Sequence, residues 1–236
     1  MKRHFGIIGK PLKHSQSKNY FDKRFAAEGL DADYSIHELD AIEEVVPLLD
    51  LLDGLNVTSP YKEQIIPYLC DVDDVAQEIG AVNVVYQHRG YNTDWIGVTE
   101  TLKPYISNQD KQALVLGTGG AAVAVRYALR QMGMNVLTVS RTQGKANLTY
   151  ADLTQNVIND SRIIANCTPL GMFPNESDMP NIPWQWISDR HLLFDCIYNP
   201  EQTKFLQRGS QQGAQTVNGQ QMFISQAEAA MRIFFN

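Results

Sequence analysis

Three stretches combine residue types and spacings that could do chemistry. The first is "GLNVTSPYK", residues 54 to 62, where an apolar run stops at Thr58, Ser59 and Pro60 and a lone cation, Lys62, follows. A positioned ammonium stabilises a developing oxyanion and gives it a proton, which is what reduction of a ketone needs. The second is Gly117-Thr118-Gly119-Gly120-Ala121-Ala122. Gly117 and Gly119 permit a tight turn and close backbone approach, Ala122 is small enough for the helix-packing position, and a pyrophosphate can rest on the helix N-terminus that follows. A merely tight strand-to-helix turn would use the same glycines. The apolar strand before them and the Ala/Val-rich helix after them select the dinucleotide reading. The third stretch is "VLTVSRTQGK", residues 136 to 145, roughly 20 residues past the glycines, where an NAD site places an acid against the ribose 2′-hydroxyl. No acid is present. Arg141 offers a planar fork and a cation–π face to adenine. Ser140, Thr142 and Lys145 add donors for a 2′-phosphate, so the cofactor expected is NADP. The plainer alternative is that Arg141 and Lys145 form a solvated basic turn.

A nicotinamide cofactor would give Lys62 work, and four stretches supply it with polar company: "HSQS" (14 to 17), "NVT" (56 to 58), "AVN" (81 to 83) and "NTD" (92 to 94). Each falls at a strand end or turn, where side chains from separate strands converge. Ser15, Ser17, Thr58, Asn83 and Asp94 with Lys62 would make a hydroxyl- and amide-rich pocket holding one cation and one carboxylate. Such a pocket suits a small polyhydroxylated acid. The structural alternatives are helix N-caps for Ser15 and Ser17, turn residues for Asn83 and Asn92, and ordinary surface charges for Lys62 and Asp94.

These residues must be positioned by alternating strands and helices. "HFGIIG" (4 to 9) reads as a strand, Ser17 to Glu28 as a helix, "YSIHEL" (34 to 39) as a strand and Ile42 to Leu52 as a helix, which is βαβα patterning. After "GLNVT", helices are predicted over Tyr61 to Tyr68 and Val72 to Ile79. A hairpin turning near Arg89-Gly90 and a helix from Trp95 to about Ile106 come next. The polar loop "SNQDKQ" reads as a domain boundary. Beyond it, strand, glycine turn, helix and strand form one mononucleotide-binding βαβ unit. "RIIANCT" (162 to 168) and "LLFDCIY" (192 to 198) read as parallel strands buried on both faces, and a helix over Gln221 to Phe235 closes the chain.

With 44% hydrophobic and 19% charged residues over 236, the chain can bury a core and is long enough for two small domains or one large one. Its net charge of −6, without a dense Lys/Arg run, argues against nucleic acid. Cys70, Cys167 and Cys196 lie too far apart in sequence for a metal knuckle or a disulfide framework, which fits a reducing cytoplasm and no metal. The apolar stretch after "MKRH" is too short for a signal segment, and no run is long enough to span a membrane.

Taken together, the motifs resemble the shikimate dehydrogenase family along nearly the whole chain. "GKPLKHSQS" is similar to the family's Gly-x-Pro-x-x-His-Ser-x-Ser, "NVTSPYK" to its Asn-Val-Thr-x-Pro-x-Lys, "GAVN" and "NTDWIG" to the next two motifs, and "GTGGAA" to its glycine loop. "NCTPLGM", "DCIYNPEQTKFL" and "NGQQMFISQA" resemble its later signatures. The resemblance implies reversible reduction of 3-dehydroshikimate to shikimate with NADPH, in chorismate and aromatic amino-acid biosynthesis. It implies a catalytic pair of Lys62 and Asp94, with Ser15, Ser17, Thr58, Asn83, Tyr198 and Gln226 holding the substrate; Tyr198 and Gln226 rest on it alone. It places Gly117, Gly119, Gly120 and Ala121 at the pyrophosphate, Ser140, Arg141, Thr142 and Lys145 at the adenosine phosphate, and Thr168, Met172 and Gly219 on the nicotinamide side. Ordinary core packing is the alternative for Met172.

The fold class implied is α/β in two domains with a cleft between them. An N-terminal substrate domain covers 1 to 98 plus the C-terminal helix at about 219 to 236, and a shortened Rossmann-type NADP domain with a parallel sheet covers 99 to 218. The partners implied are a small-molecule substrate, with no nucleic acid and no membrane, for a monomer or homodimer. The chain departs from the family at Lys18, where proline is common, and at Ser140, where asparagine is usual. It departs most after Arg141, where nineteen residues stand in place of a full crossover helix, a strand and a second helix. A shortened domain with an exposed adenine side and weaker NADPH binding follows. The rival readings are a quinate-type dehydrogenase using NAD, a Rossmann-type metabolite sensor, and an S-adenosylmethionine methyltransferase. The missing acid beside Arg141 opposes the first and third, and Lys62 with Asp94 opposes the second.

Overall fold

The computed structural model describes residues 1–13, 15–107 and 109–235, so His14 of the "HSQS" stretch lies outside the described residues. The chain divides into two compact units, Met1–Thr93 with Gln226–Asn236, and Asp94–Ser225.

The first unit begins with β1 (Arg3–Gly9), α1 (Ser17–Glu28) and β2 (Ala32–Glu38). The predicted helix over 42 to 52 forms as a 3-10 turn, Ile42–Val45, followed by α2, Val46–Leu51. Pro47 explains the break: it has no N–H to continue a helix, yet is tolerated in the first turn of a new one. β3 (Gly54–Val57) follows, and the helix expected over 61 to 68 is instead a turn closed by a short 3-10 segment, Ile66–Tyr68. Pro67 is the physical reason there too. Next come β4 (Asp71–Val72), α3 (Asp74–Ile79), β5 (Val84–Tyr86) and β6 (Arg89–Tyr91). The hairpin turns at Gln87 and His88, with φ of 51° and 60°, and not at Arg89-Gly90. Gly90 is needed within the strand, where a Cβ would stand 2.6 Å from Leu69.

This sheet has the order β2-β1-β3-β5-β6-β4. β1 is buried on both faces because Phe5 and Ile7 pack with Phe21 and Phe25 of α1 and with Ala230 and Phe234 of the last helix, while Ile8 packs with Val45, Tyr61 and Ile65.

The second unit opens with α4 (Asp94–Leu102), then β7 (Gln112–Leu116), α5 (Gly120–Gln131), β8 (Asn135–Ser140), β9 (Leu148–Thr149), α6 (Gln155–Asp160), β10 (Ser161–Asn166), β11 (Leu192–Asp195), α7 (Lys204–Gln211), β12 (Gln215–Val217) and α8 (Gln220–Phe235), whose end returns to the first unit. The division falls at Asp94 because Val98 and Leu102 of α4 are buried with Ala122, Val125 and Leu129 of α5. The strand order is β12-β11-β10-β7-β8-β9 and every pairing is parallel. Counted from β7 this is the 3-2-1-4-5-6 order of dinucleotide-binding sheets. Alternate residues of the apolar runs serve opposite cores: Val115, Ala165 and Phe194 face α4 and α5, while Leu114, Ile164 and Leu193 pack with Ile158, Trp184 and Phe205. After Arg141 the chain keeps a two-residue strand and a six-residue helix but no crossover helix. Among the described residues, no helix is long and apolar enough to cross a membrane.

Candidate functional site

In parallel sheets of this order, ligands bind at the carboxyl ends of the strands, where the strand order reverses. Here the reversal lies between β7 and β10. Gly117 leaves β7 with φ of 110°, its N–H bonded to Val139 O at 2.9 Å, and a Cβ there would stand 3.1 Å from the Cys167 carbonyl oxygen. Both the positive φ and the close approach exclude a side chain. Gly119 is the N-cap of α5, and a Cβ on it would meet nothing within 4 Å. The space above the first turn of α5 is therefore open, and the first N–H groups of a helix have no acceptor within it. Gly120 and Ala121 are partly exposed in that turn, and Ala122 is wholly buried. The arrangement fits a pyrophosphate and the helix dipole favours it.

At the end of β8, Ser140 is buried and its Oγ accepts the Thr142 N–H at 3.1 Å. That bond fixes the turn which presents Arg141, Thr142 and Lys145, all exposed. The Asn147 side chain accepts the Thr138 N–H at 2.9 Å and ties the far end of this turn to β8. Arg141 lies near enough to Tyr150 to oppose the rise that burial imposes on that phenol's pKa.

The ends of β10 and β11 are locked by a buried polar cluster. The Asn166 amide donates to Asp195 Oδ1 at 3.1 Å, the Thr203 hydroxyl donates to Asp195 Oδ2 at 2.6 Å, and the Ile197 N–H donates to Oδ1 at 3.0 Å. Burial outweighs these three donors and pushes the Asp195 carboxyl up to about 6. Asn166 Oδ1 in turn accepts the Thr168 hydroxyl at 2.6 Å and its N–H at 3.0 Å, so Thr168 is held at the tip of β10. Gly219 is forced by packing, because a Cβ would fall 2.2 Å from the Cys196 carbonyl oxygen. Tyr198 packs against Phe223 with ring centroids 5.0 Å apart and the rings tilted by 37°. Met172 is 45% exposed in an open loop, which removes the core alternative. Asp94 is buried at the first position of α4.

In the first unit, the turn after β3 is pinned on all sides. Thr58 N–H donates to Ile8 O, Tyr61 N–H to Thr58 O and Val82 N–H to Lys62 O, all at 2.8 to 2.9 Å, and the Tyr61 hydroxyl donates to Leu39 O at 2.7 Å. Lys62 thus has a fixed backbone and a half-buried side chain. Ser17 is buried at the first turn of α1; Tyr34 donates to Asn56 Oδ1 at 2.7 Å, and the Asn56 amide reaches Asn83 O at 3.5 Å. Asn83 donates to Thr93 Oγ1 at 2.9 Å and to Gln226 Oε1 at 3.4 Å, and accepts the Thr93 N–H at 2.7 Å.

One polar chain therefore links Asn83 and Gln226 to Tyr34 through Asn56; Tyr34 and Asn56 were not singled out from the sequence, although "NVT" contains Asn56. Asn83 is not a turn residue; it fastens β5 to the end of β6. The N-cap of α1 is Gln16, whose side chain makes no cap bond, while Ser15 Oγ accepts the Ser17 N–H at 3.3 Å. Ser15 thus serves the helix start from two residues upstream, and Ser17 does not cap it. Lys62 and Asp94 belong to different units.

A six-stranded parallel sheet in dinucleotide-binding order, with a glycine turn and an open helix N-terminus at its switch point, defines a nucleotide-binding α/β protein, here joined to a second α/β unit. Residues 7–85 match the family model described as the shikimate dehydrogenase substrate binding domain. The shikimate dehydrogenase (NADP(+)) of Methanosphaera stadtmanae is 36% identical over 97% of this chain and 90% of its own length. The chain belongs to the shikimate dehydrogenase family. Among solved structures, the shikimate dehydrogenase of Aquifex aeolicus is similar at a TM-score of 0.87 and 35% identity, covering 99% of this chain and 92% of that one. That of Thermus thermophilus, in complex with NADP(H) and shikimate, is similar at a TM-score of 0.88 and 28% identity, covering 99% and 93%.

Proposed function

We propose that this protein is an NADP-dependent shikimate dehydrogenase that interconverts 3-dehydroshikimate and shikimate, a cytoplasmic monomer or homodimer acting without nucleic acid. The observation that carries the reading is the open first turn of α5 at the switch point, followed at the end of β8 by Ser140 and Arg141 where an NAD site would place an acid. The full-length likeness to NADP(+) relatives supports the choice of substrate.

Gly117, Gly119, Gly120 and Ala121 would hold the pyrophosphate on backbone N–H groups. Ser140, Arg141, Thr142 and Lys145 would hold the adenosine phosphate, and Thr168, Met172 and Gly219 would border the nicotinamide. When bound, the reduced nicotinamide supplies the hydride. Lys62 donates a proton to the carbonyl oxygen as negative charge builds there, and its contribution is differential because it is a stronger donor to the developing oxyanion than to the ground-state ketone. Asp94 acts with it as the second member of the catalytic pair. Ser15, Ser17, Thr58, Asn83, Tyr198 and Gln226 hold the carboxylate and hydroxyls.

The test is direct. Purified protein with shikimate and NADP should generate the absorbance of reduced cofactor, and with NAD far less. Silence with both overturns the reading, and equal rates with both overturn the cofactor assignment.

A further inference from the structure

Cys167 and Cys196 stand one residue beyond β10 and β11, two strands that are neighbours in the sheet. The register pairs Asn166 with Asp195, so the cysteines are the next residues across the same two strands, and the Cys196 N–H donates to Asn166 O at 3.0 Å. Adjacent strands lie ~4.8 Å apart, inside the ~4.4 to 6.8 Å between Cα atoms that a disulfide requires. Both side chains pack against the same core, with their Sγ atoms 3.6 Å apart, and both thiols are free. A bond of ~2.05 Å needs an approach of about 1.5 Å, a matter of side-chain rotation in a segment that has already left the strands. No step of the proposed reaction uses either thiol.

The surroundings give a bridge something to disturb. The backbone of Cys167 supports Gly117, that of Cys196 supports Gly219, and Thr168 is the next residue in the chain. Any backbone shift that accompanies closure reaches both supports at once.

We propose that Cys167 and Cys196 are a two-electron oxidation site, which a hydroperoxide converts to a disulfide that weakens dinucleotide binding; the second half rests on the cofactor reading above. The Cys167 thiolate attacks a peroxide oxygen, the O–O bond breaks, and a sulfenic acid forms with loss of water or alcohol. The sulfur of Cys196 then attacks Cys167 Sγ, the S–S bond forms, the S–O bond breaks, and hydroxide leaves as water with the proton of Cys196. Two thiols lose two electrons, and the peroxide takes them. The steps balance equally with the two sulfurs exchanged. A dithiol reductant reverses the change.

The experiment treats the reduced full chain with a small excess of hydrogen peroxide, counts thiols after denaturation, maps linked peptides and measures NADPH affinity by fluorescence. Thiols should fall from three to one, a peptide should link Cys167 to Cys196, and NADPH affinity should drop about fivefold or more, with dithiothreitol restoring both. Cys167→Ser and Cys196→Ser should each form no such link and keep their NADPH affinity through peroxide treatment. Oxidation confined to Cys70 overturns the site, and a complete bridge with unchanged NADPH affinity overturns its consequence. If the reduced chain binds no NADPH, the cofactor reading fails, while the linked peptide still decides the oxidation site.

Discussion

Asp195 should make the protein less stable as pH rises across a defined window. The carboxyl is fully buried between the tips of β10 and β11, and burial pushes it from an ordinary 3.8 to about 6. Below 3.8 it is protonated whether the chain is folded or not. Between 3.8 and 6 the unfolded chain releases the proton and the folded chain keeps it, so stability falls as pH rises through the folded value. The difference of about two pKa units is worth about 3 kcal/mol, a large part of the net stability of a typical domain. Asp195→Asn cannot ionise, and it keeps one acceptor for the Ile197 N–H or the Thr203 hydroxyl. Urea unfolding of both proteins at pH 4, 5, 6 and 7 isolates this group, because every other titration is common to the pair. The variant should gain on the parent by about 2 to 3 kcal/mol between pH 4 and pH 7. A difference that stays flat across that range would refute the buried, proton-holding carboxyl and with it the cluster that fixes Thr168.

Other outcomes test the proposed roles. Lys62→Ala should lower kcat by ~10² or more with little change in substrate KM, and an intact kcat in a variant folded by circular dichroism would return Lys62 to the surface charges. Asp94→Asn should also lower kcat, and the double variant should lose less than the product of the two losses, since a working pair is not additive. Arg141→Ala removes a charge-assisted contact worth ~1.5 to 3 kcal/mol and should weaken NADPH about tenfold to a hundredfold while sparing NADH; equal losses would exclude a 2′-phosphate contact. Ser15→Ala and Ser17→Ala should raise substrate KM more than they lower kcat, whereas earlier melting at unchanged KM would leave both serines to helix α1.

What the sequence showed and what it hid divide along physical lines. The glycine turn was legible because its demands are local: a positive φ at Gly117, room above Gly119 and a small residue at Ala122 all lie within six residues. The buried parallel strands were legible as continuous apolar runs. The hairpin was read one dipeptide too late, since glycine is the usual owner of a left-handed turn and nothing nearby announces that Gly90 is reserved for Leu69 and Val82. Pro47 and Pro67 are plain in the sequence, and each falls inside a span expected as helix, where the missing N–H interrupts it. The linkage from Tyr34 through Asn56 to Asn83 and Gln226 closes with a bond between residues 143 positions apart, and no local pattern encodes a hydrogen bond of that span.

The short segment after Arg141 shows how a dinucleotide-binding sheet can lose a crossover helix. The edge strand beyond β8 is still present, as β9, although only Val139 and Ser140 pair with it. What replaces the helix is side-chain bonding within the segment: Asn147 reaches back to the Thr138 N–H, and Asp152 accepts both the N–H and the hydroxyl of Thr149 at 2.7 Å. Leu148, Tyr150 and Leu153 then cover the face of the sheet that holds Leu116 and Val139. The hydrophobic work is thus done by three residues close to the strand, while residues 141 to 145 stay exposed. The saving falls on the turn after β8, and the glycine turn, supported from β7 and from the residue after β10, is untouched. Dinucleotide binding in this chain should therefore draw more on the first turn of α5 and on Arg141 than on any enclosure of the adenine.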